Sequence, residues 1–331
     1  MRAAAAVLVL LLGLSGAGRL QAAPPAGPAE PAARPAVQAP APAKRVVRPL
    51  PGEDVTLATR DGWTLAGTYL PAQPGKLTVL LLHDGAGRRQ DWRPLAVRMQ
   101  KRGIGYLAWD LRGHGGSQNP PQGQPAQWNK FVVSKSYNEW DAMREDVGAA
   151  AAFLKEKGVA PESVLLGGAD VGANIALKYA AVHPEVPRIF LVSPSLNYRE
   201  VLTVNAMRAY KERPILIVAS DEDKRFTTEA NLLFTFAKAS VGDARAGILR
   251  VKSKHGTKML PFHRALADRI LDWVEDPVPP AAEVVPSTGT AAGEPSAGPS
   301  GDGLPDDAEL ERRVRAPEPT PAPAKDVEVS E

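Results

Sequence analysis

The first feature with chemical meaning is a carboxylate placed between two glycines, in the sequence GGADVGAN. Gly168 and Gly172 stand two residues before and two residues after Asp170. The preceding run VLLGG is apolar, as in a buried strand, and the following ANIALKYAA has apolar residues at helical spacing. We therefore predict that Asp170 lies on a tight turn between a strand and a helix.

Two interpretations of Asp170 follow from its chemistry. A carboxylate is ionised at neutral pH, and the peptide dipoles at the start of a helix favour the anion. Asp170 could therefore attack an electrophile without the help of a base. An aspartate before a helix is also a favoured N-cap, worth about 0.5–2 kcal/mol, so a structural role at an inactive site stays open.

The elements that position this turn are predicted to alternate between strands and helices. A hairpin joined by Arg60-Asp61-Gly62 comes first, and repeated strand–helix units follow. This order predicts an α/β fold with a mostly parallel sheet of eight strands, helices on both faces and no large cap domain. Function in such sheets gathers beyond the carboxyl ends of the strands. The loops expected there contain HDGAG, DLRGHGGS, GADVG, SDEDKR and SKHGTK.

In these motifs the chain resembles the α/β-hydrolase superfamily, especially its small esterases and dienelactone-hydrolase-like members that lack a cap. The resemblance covers about residues 52–275. Its motifs, in order, are LLHDGAG, DLRGHGGS, the turn around Asp170, SPSLNYR, VASDED and KHGTKML. It implies a hydrolase acting on a small molecule, in which the turn is the nucleophile elbow.

The resemblance also implies a role for each site residue. His255 matches the catalytic base and Asp223 the acid that orients it, with Asp221 as the competing acid. The backbone N–H groups of Gly85 and Val171 match the oxyanion hole. Asp170 stands where these esterases have serine, which excludes the ordinary serine mechanism.

A nucleophilic Asp170 favours attack on an sp³ carbon, because the alkyl ester formed can be cleaved by water that His255 activates. Haloalkane dehalogenases and epoxide hydrolases of this fold use such an aspartate. They usually have Trp at the position of Val171, however, and place further donors on a cap. Two alternatives stay open: a catalytically inactive pseudoenzyme that binds a ligand or protein, and a weak esterase in which His255 acts directly on water.

Three further residues near the predicted site have expected roles. His83 and His114 are expected to pack within their loops, whereas Asp84 brings a second carboxylate close to the elbow. If Asp84 lies near Asp170, repulsion between the two charges raises the pKa of one of them. No spacing typical of a metal site is present, and we expect neither a metal nor another cofactor.

The ends of the chain differ in composition from its centre. Residues 1–22 have the apolar run and small residues of a signal peptide, with an uncleaved anchor as the alternative, and residues 23–50 form a Pro/Ala-rich linker. The domain is expected over residues 51–275, and residues 276–331 form an acidic, Pro-rich disordered tail. We expect an exported protein, periplasmic or secreted, without a stable membrane anchor. Nothing indicates nucleic-acid binding, and the absence of cysteine excludes disulfides.

Overall fold

The computed structural model describes residues 48–134, 136–222, 224–280 and 284–285. The predicted signal peptide lies outside the described residues, as do nearly all of the predicted linker and most of the predicted acidic tail. Asp223 also lies outside them. The domain boundaries, the export of the protein and the role of Asp223 therefore stay predictions.

Eleven strands occur within the described residues, and nine of them form one mixed sheet. The strands are β1 (Glu53–Ala58), β2 (Thr64–Leu70), β3 (Thr78–Leu82), β4 (Gly105–Trp109), β5 (Val164–Ala169), β6 (Ile189–Val192), β7 (Asn197–Tyr198), β8 (Val201–Leu202), β9 (Ile215–Ser220), β10 (Ala246–Val251) and β11 (Val284–Val285). The order in the large sheet is β1-β2-β4-β3-β5-β6-β9-β10-β11. Strand β2 pairs antiparallel with β1 and β4, and the remaining pairs are parallel.

Eight α-helices of the described chain connect these strands. They are α1 (Arg93–Arg102), α2 (Glu139–Ala142), α3 (Arg144–Glu156), α4 (Val171–Val182), α5 (Val204–Ala209), α6 (Lys224–Val241), α7 (Met259–Phe262) and α8 (Arg264–Glu275). Helix α1 is followed by its C-cap Gly103, which adopts the left-handed conformation (φ 72°) that favours glycine. None of the helices in the described part of the chain has the length and apolar character needed to cross a bilayer.

The core lies on both faces of the sheet, as the uninterrupted apolar strands predict. Successive side chains of a strand point to opposite faces. Leu80 and Leu82 accordingly pack in a cluster with α3, α4 and α6, whereas Val79 and Leu81 pack with α1 and α8. The central strands are therefore covered on both sides, and their carboxyl ends emerge together at one edge.

The predicted fold class is confirmed, with two additions. The two-residue strand β11 adds a ninth strand to the expected eight-stranded sheet. This strand lies in the segment that the sequence predicts to be the tail. Between β6 and β9 the structure has only the β7–β8 hairpin and the six-residue helix α5. This short insertion is no large cap, as expected, but the hairpin places a side chain over the site.

Candidate active site

Asp170 lies at the turn from β5 to α4, as the sequence predicts. Its backbone has φ 53° and ψ −120°, an unusual conformation for a residue with a side chain. The two glycines make this turn possible. A Cβ at Gly168 would overlap the carbonyl of Gly172, and a Cβ at Gly172 would lie 2.5 Å from the carbonyl oxygen of Leu82. The turn therefore has the geometry of a nucleophile elbow.

The Asp170 side chain makes no capping hydrogen bond to α4, so the simple N-cap interpretation is wrong. Instead, the backbone N–H of Gly85 donates to Oδ2 at 3.0 Å, and His255 Nε2 lies 3.4 Å from Oδ1. Burial by itself would raise the pKa of this carboxyl. The hydrogen bond and charge of His255, with the N–H groups of Gly85 and Val171, outweigh burial and hold the pKa below its ordinary value.

Of the two N–H groups of the predicted oxyanion hole, that of Gly85 donates to the Asp170 carboxylate at 3.0 Å, and that of Val171 helps to lower the pKa of this carboxyl. Gly85 lies in the loop after β3, and Val171 is the first residue of α4, directly after β5 and Asp170; β3 and β5 pair in parallel, so both residues follow neighbouring strand ends. Oδ2 of the carboxylate accepts the Gly85 N–H, and Oδ1 faces His255. The different partners of the two Asp170 oxygens are the central geometric feature of the site.

His83 and His114 support the loop that carries Gly85. His83 Nδ1 lies 2.7 Å from the carbonyl of Asp84, and Nε2 accepts the Leu111 N–H at 2.9 Å, which fixes a neutral ring with the proton on Nδ1. His114 Nε2 contacts the carbonyl of Gly85 at 2.8 Å. Burial lowers the pKa of both rings, for His114 to about 3. The expected packing roles are therefore confirmed.

Asp84 joins the oxyanion loop to the loop that carries His255. The backbone N–H of Thr257 contacts Asp84 Oδ1 and Oδ2 at 3.1 and 3.2 Å, and the Thr257 hydroxyl also donates to Oδ2. Gly256 (φ 54°) permits this approach, since a Cβ there would overlap Asp84. Burial, followed by the charge of Asp170, raises the pKa of Asp84 to about 7. The proximity of the two carboxylates therefore raises the pKa of Asp84, whereas the pKa of Asp170 stays below its ordinary value.

Replacing Asp84 by Asn is expected to flatten the dependence of stability on pH. In the wild type, the folded pKa of Asp84 lies above its unfolded value, so its contribution is fully present below about pH 4 and is lost as the pH rises through 7. The Asn variant has no such loss. We expect its free energy of unfolding, relative to wild type, to be greater at pH 8 than at pH 5 by about 1–4 kcal/mol.

Urea unfolding at the two pH values measures this difference. A hydrogen bond lost on substitution affects both pH values, so the pH-dependent part reports the ionisation. The exposed Asp243, substituted in the same way, serves as the control and should retain the wild-type pH profile. Equal shifts at pH 5 and pH 8 for Asp84→Asn would contradict the assignment.

His255 follows β10 and faces Asp170, as expected from its motif. Its ring packs on Phe226, with 4.3 Å between the ring centroids, and about a third of its side chain is exposed. The next residue is held by the residue that follows β6, because the Gly256 N–H donates to Ser193 Oγ at 2.9 Å. The position of His255 therefore rests on contacts with α6 and with residues that follow β5 and β6.

The structure describes one of the two candidates for the acid that orients His255. Asp221 lies 3.4 Å from the guanidinium of Arg250 and is partly exposed, so its observed ion pair is with an arginine. Asp223 is outside the described residues, and its assignment as the acid stays a prediction.

Sequence reasoning missed two residues at this site. Nothing in KHGTK indicated that Thr257 binds Asp84. Tyr198 lies within the SPSLNYR motif, and no local pattern in that motif indicates that its hydroxyl reaches Gly85. Among the described residues, no group of three or more His, Asp or Glu side chains is arranged to hold a metal ion.

Comparison with solved structures places this geometry in a known architecture. The esterase Pf2001 of Pyrococcus furiosus superimposes with a TM-score of 0.54 at 18% identity, covering 68% of this chain and 90% of the esterase. The α/β hydrolase GrgF from a Penicillium species gives 0.55 at 18% identity, covering 68% of this chain and 98% of GrgF. This chain has the α/β-hydrolase fold. The resemblance to that superfamily is thereby confirmed at the level of the fold.

Sequence comparisons agree with the α/β-hydrolase assignment. The family described as serine aminopeptidase, S33, matches residues 73–218, a segment that includes the oxyanion loop and the elbow but ends before His255. The uncharacterized protein Rv2307c of Mycobacterium tuberculosis is 30% identical over 156 residues, 46% of this chain and 50% of that protein. The uncharacterized protein YfhR of Salmonella typhi is 28% identical over 143 residues, 41% of this chain and 44% of YfhR. This chain therefore spans about half the length of the curated relatives it matches.

Proposed function

We propose that this protein is an exported small-molecule hydrolase in which Asp170 is the nucleophile and His255, oriented by Asp223, activates water. The proposal rests on one observation: the two oxygens of the Asp170 carboxylate have different partners. Oδ2 accepts the Gly85 N–H at 3.0 Å, and Oδ1 faces His255 Nε2 at 3.4 Å. The lowered pKa of Asp170 keeps this group anionic at neutral pH.

In the first half of the reaction, Oδ1 attacks an sp³ carbon and the leaving group departs with the bonding electron pair. An ester between Asp170 and the substrate results. Its carbonyl oxygen is Oδ2, which already lies against the Gly85 N–H. The attack thus requires no rearrangement of the oxyanion hole, which is the preorganisation that electrostatic catalysis needs.

In the second half, His255 takes a proton from water, and the hydroxide adds to Cγ of Asp170. Negative charge develops on Oδ2 and is stabilised by the N–H groups of Gly85 and Val171. Collapse of this intermediate releases the product alcohol, which carries Oδ1 away and takes the proton from His255. The carboxylic acid left at Asp170 ionises and releases its proton to solvent, and one oxygen of the regenerated carboxylate comes from water.

The same geometry disfavours carboxylic esters as substrates. Attack by Asp170 on an ester would give a mixed anhydride. The ester carbonyl would also have to displace Oδ2 from the oxyanion hole, where Gly85 now donates to it. The substrates favoured by the site are therefore electrophiles with a leaving group on an sp³ carbon.

The test is to trap the ester by removing the base. The His255→Gln variant should accumulate an adduct on Asp170 when incubated with a panel of haloalkanes, epoxides and activated esters, because the second half of the reaction is blocked. Peptide mass spectrometry locates the adduct. The wild type should turn over the same compound and carry no lasting adduct.

Asp170→Asn in the His255→Gln background is the matched control, since it keeps the size of the side chain and removes its charge. No adduct should form in this double variant. If His255→Gln gives no adduct with any compound, and the wild type turns none over, the proposed hydrolase function is wrong.

A second candidate function rests on the same contacts. Both oxygens of Asp170 have partners, and the oxyanion hole is filled by the protein's own side chain. A catalytically inactive domain that binds a ligand or a protein would have a site in which the polar groups contact one another in this way. The trapping experiment separates the two candidates, because only the hydrolase forms an adduct that the wild type clears.

A further inference from the structure

A cavity of about 230 Å³ lies beside the oxyanion loop, between the segment that follows β3 and the segment that follows β4. Ala86 and Arg88 line it from the first segment, and His114, Gly115 and Trp128 line it from the second. An engineered protein cavity of about 150 Å³ holds benzene. The cavity beside the oxyanion loop therefore has room for an aromatic ring with a small polar substituent.

Gly85 stands between this cavity and the nucleophile. Its N–H donates to Asp170 Oδ2 at 3.0 Å, whereas its carbonyl oxygen contacts Nε2 of His114, in the cavity wall, at 2.8 Å. The described residues that line the cavity include neither Asp170 nor His255. The steps proposed above for hydrolysis therefore leave this cavity unused.

The charge of the cavity lining favours an anion. The described residues that line it include no carboxylate and one cation, Arg88, since burial lowers the pKa of the His114 ring to about 3 and keeps that ring neutral. Arg89, the next residue, pairs with Asp110 and Asp54. The exposed Arg88 side chain has no such ion pair with any described residue. A guanidinium in this state offers a carboxylate two parallel N–H···O hydrogen bonds.

Backbone and aromatic groups complete the lining. The N–H groups of Ala86 and Gly115 donate to no acceptor within the described chain, and both residues are exposed. These two groups can therefore donate to a ligand in the cavity. The Trp128 ring stacks on the His114 ring, with 5.5 Å between the centroids and 4° between the planes. Both nitrogens of His114 also contact backbone carbonyls, so this aromatic wall is fixed in place.

We propose that this cavity is a second binding site, which takes a small aromatic carboxylate of about the size of benzoate. The Arg88 guanidinium pairs with the carboxylate, and the ring packs against Trp128. The N–H groups of Ala86 and Gly115 donate to the carboxylate oxygens. Because Asp170 has no part in the site, this inference goes beyond the proposed hydrolysis and does not depend on it.

The test measures the binding of benzoate to the full-length protein by isothermal titration calorimetry, with benzamide as the neutral analogue of the same shape. Benzoate should bind to one site per chain, and benzamide about 10–100-fold more weakly. Arg88→Met should weaken the binding of benzoate about 10–100-fold, because a charged hydrogen-bonded pair is lost. The same substitution should change the binding of benzamide by less than about 3-fold, because benzamide has no charge for the guanidinium to pair with.

Two further variants locate the site. Arg245→Met is the matched control for the loss of an exposed arginine. Arg245 directly precedes the parallel strand β10, at the edge of the sheet opposite to the carboxyl ends, and its substitution should leave the affinity for benzoate unchanged. Asp170→Asn should change this affinity by less than about 10-fold, because Gly85 separates the cavity from Asp170 and repulsion falls with distance.

Three results would overturn the inference. They are no saturable binding of benzoate to the wild type, equal weakening of benzoate and benzamide by Arg88→Met, and a gain in benzoate affinity of more than about 10-fold in Asp170→Asn. The last result would place benzoate in the oxyanion hole. None of the three involves an adduct on Asp170, so the trapping experiment tests the proposed function separately.

Discussion

Replacing Asp170 by Ser is expected to create ester hydrolysis. We expect kcat/KM for p-nitrophenyl acetate to rise at least about 1,000-fold over wild type, the scale on which an oxyanion hole contributes to acyl transfer. Turnover of alkyl electrophiles should disappear in the same variant, because a serine hydroxyl is a weak nucleophile toward them without a carboxylate's charge. Steady-state kinetics with both substrate classes measures the gain of ester hydrolysis and the loss of turnover of alkyl electrophiles.

The physical reason lies in which group occupies the oxyanion hole. In the wild type the Gly85 N–H donates to Asp170 Oδ2, and the Val171 N–H helps to lower the pKa of this carboxyl. A serine is shorter and leaves both donors for the substrate carbonyl. His255 Nε2, now 3.4 Å from Asp170 Oδ1, would take the proton of the new hydroxyl.

Two controls accompany this variant. Asp170→Ala empties the hole without providing a nucleophile and should stay inactive on the ester. Adding His255→Gln to Asp170→Ser should remove the new activity. An inactive Asp170→Ser protein that retains the wild-type fold would indicate that His255 does not act as a base, and would favour the inactive, ligand-binding candidate.

The fold could be predicted from the sequence because its signals are local. The apolar runs of β3 and β5 identify strands buried on both faces, and the glycines around Asp170 identify a turn that no larger residue fits. The strand β11 could not be predicted in the same way. Its two residues lie in a segment of tail composition, and they pair with the distant strand β10.

The site could be predicted only in part, because the remainder depends on contacts between distant segments. Topology brings Asp170 and His255 together, since both follow parallel strands. The binding of Thr257 to Asp84 joins residues 173 positions apart, and no local pattern encodes it. Tyr198 reaches Gly85 only because the hairpin folds back after β6.

The direction of the pKa shifts likewise needed the structure. The sequence placed two carboxylates near each other, which predicts a raised pKa for one of them without saying which. The His255 ring and two N–H groups stabilise charge on Asp170, whereas Asp84 is buried and close to that charge. Asp170 therefore stays anionic, as a nucleophile must.

The central claim is that an Asp170 oxygen bonds to the substrate, and a single turnover in oxygen-18 water tests it most directly. With enzyme in excess over an electrophile that the trapping panel identifies, the hydroxyl added to the product should come from Asp170 and be unlabelled. The Asp170 peptide should gain one oxygen-18 atom. A product that carries oxygen-18 after this first turnover, with an unlabelled Asp170 peptide, would mean that water attacks the substrate directly, and would contradict the account.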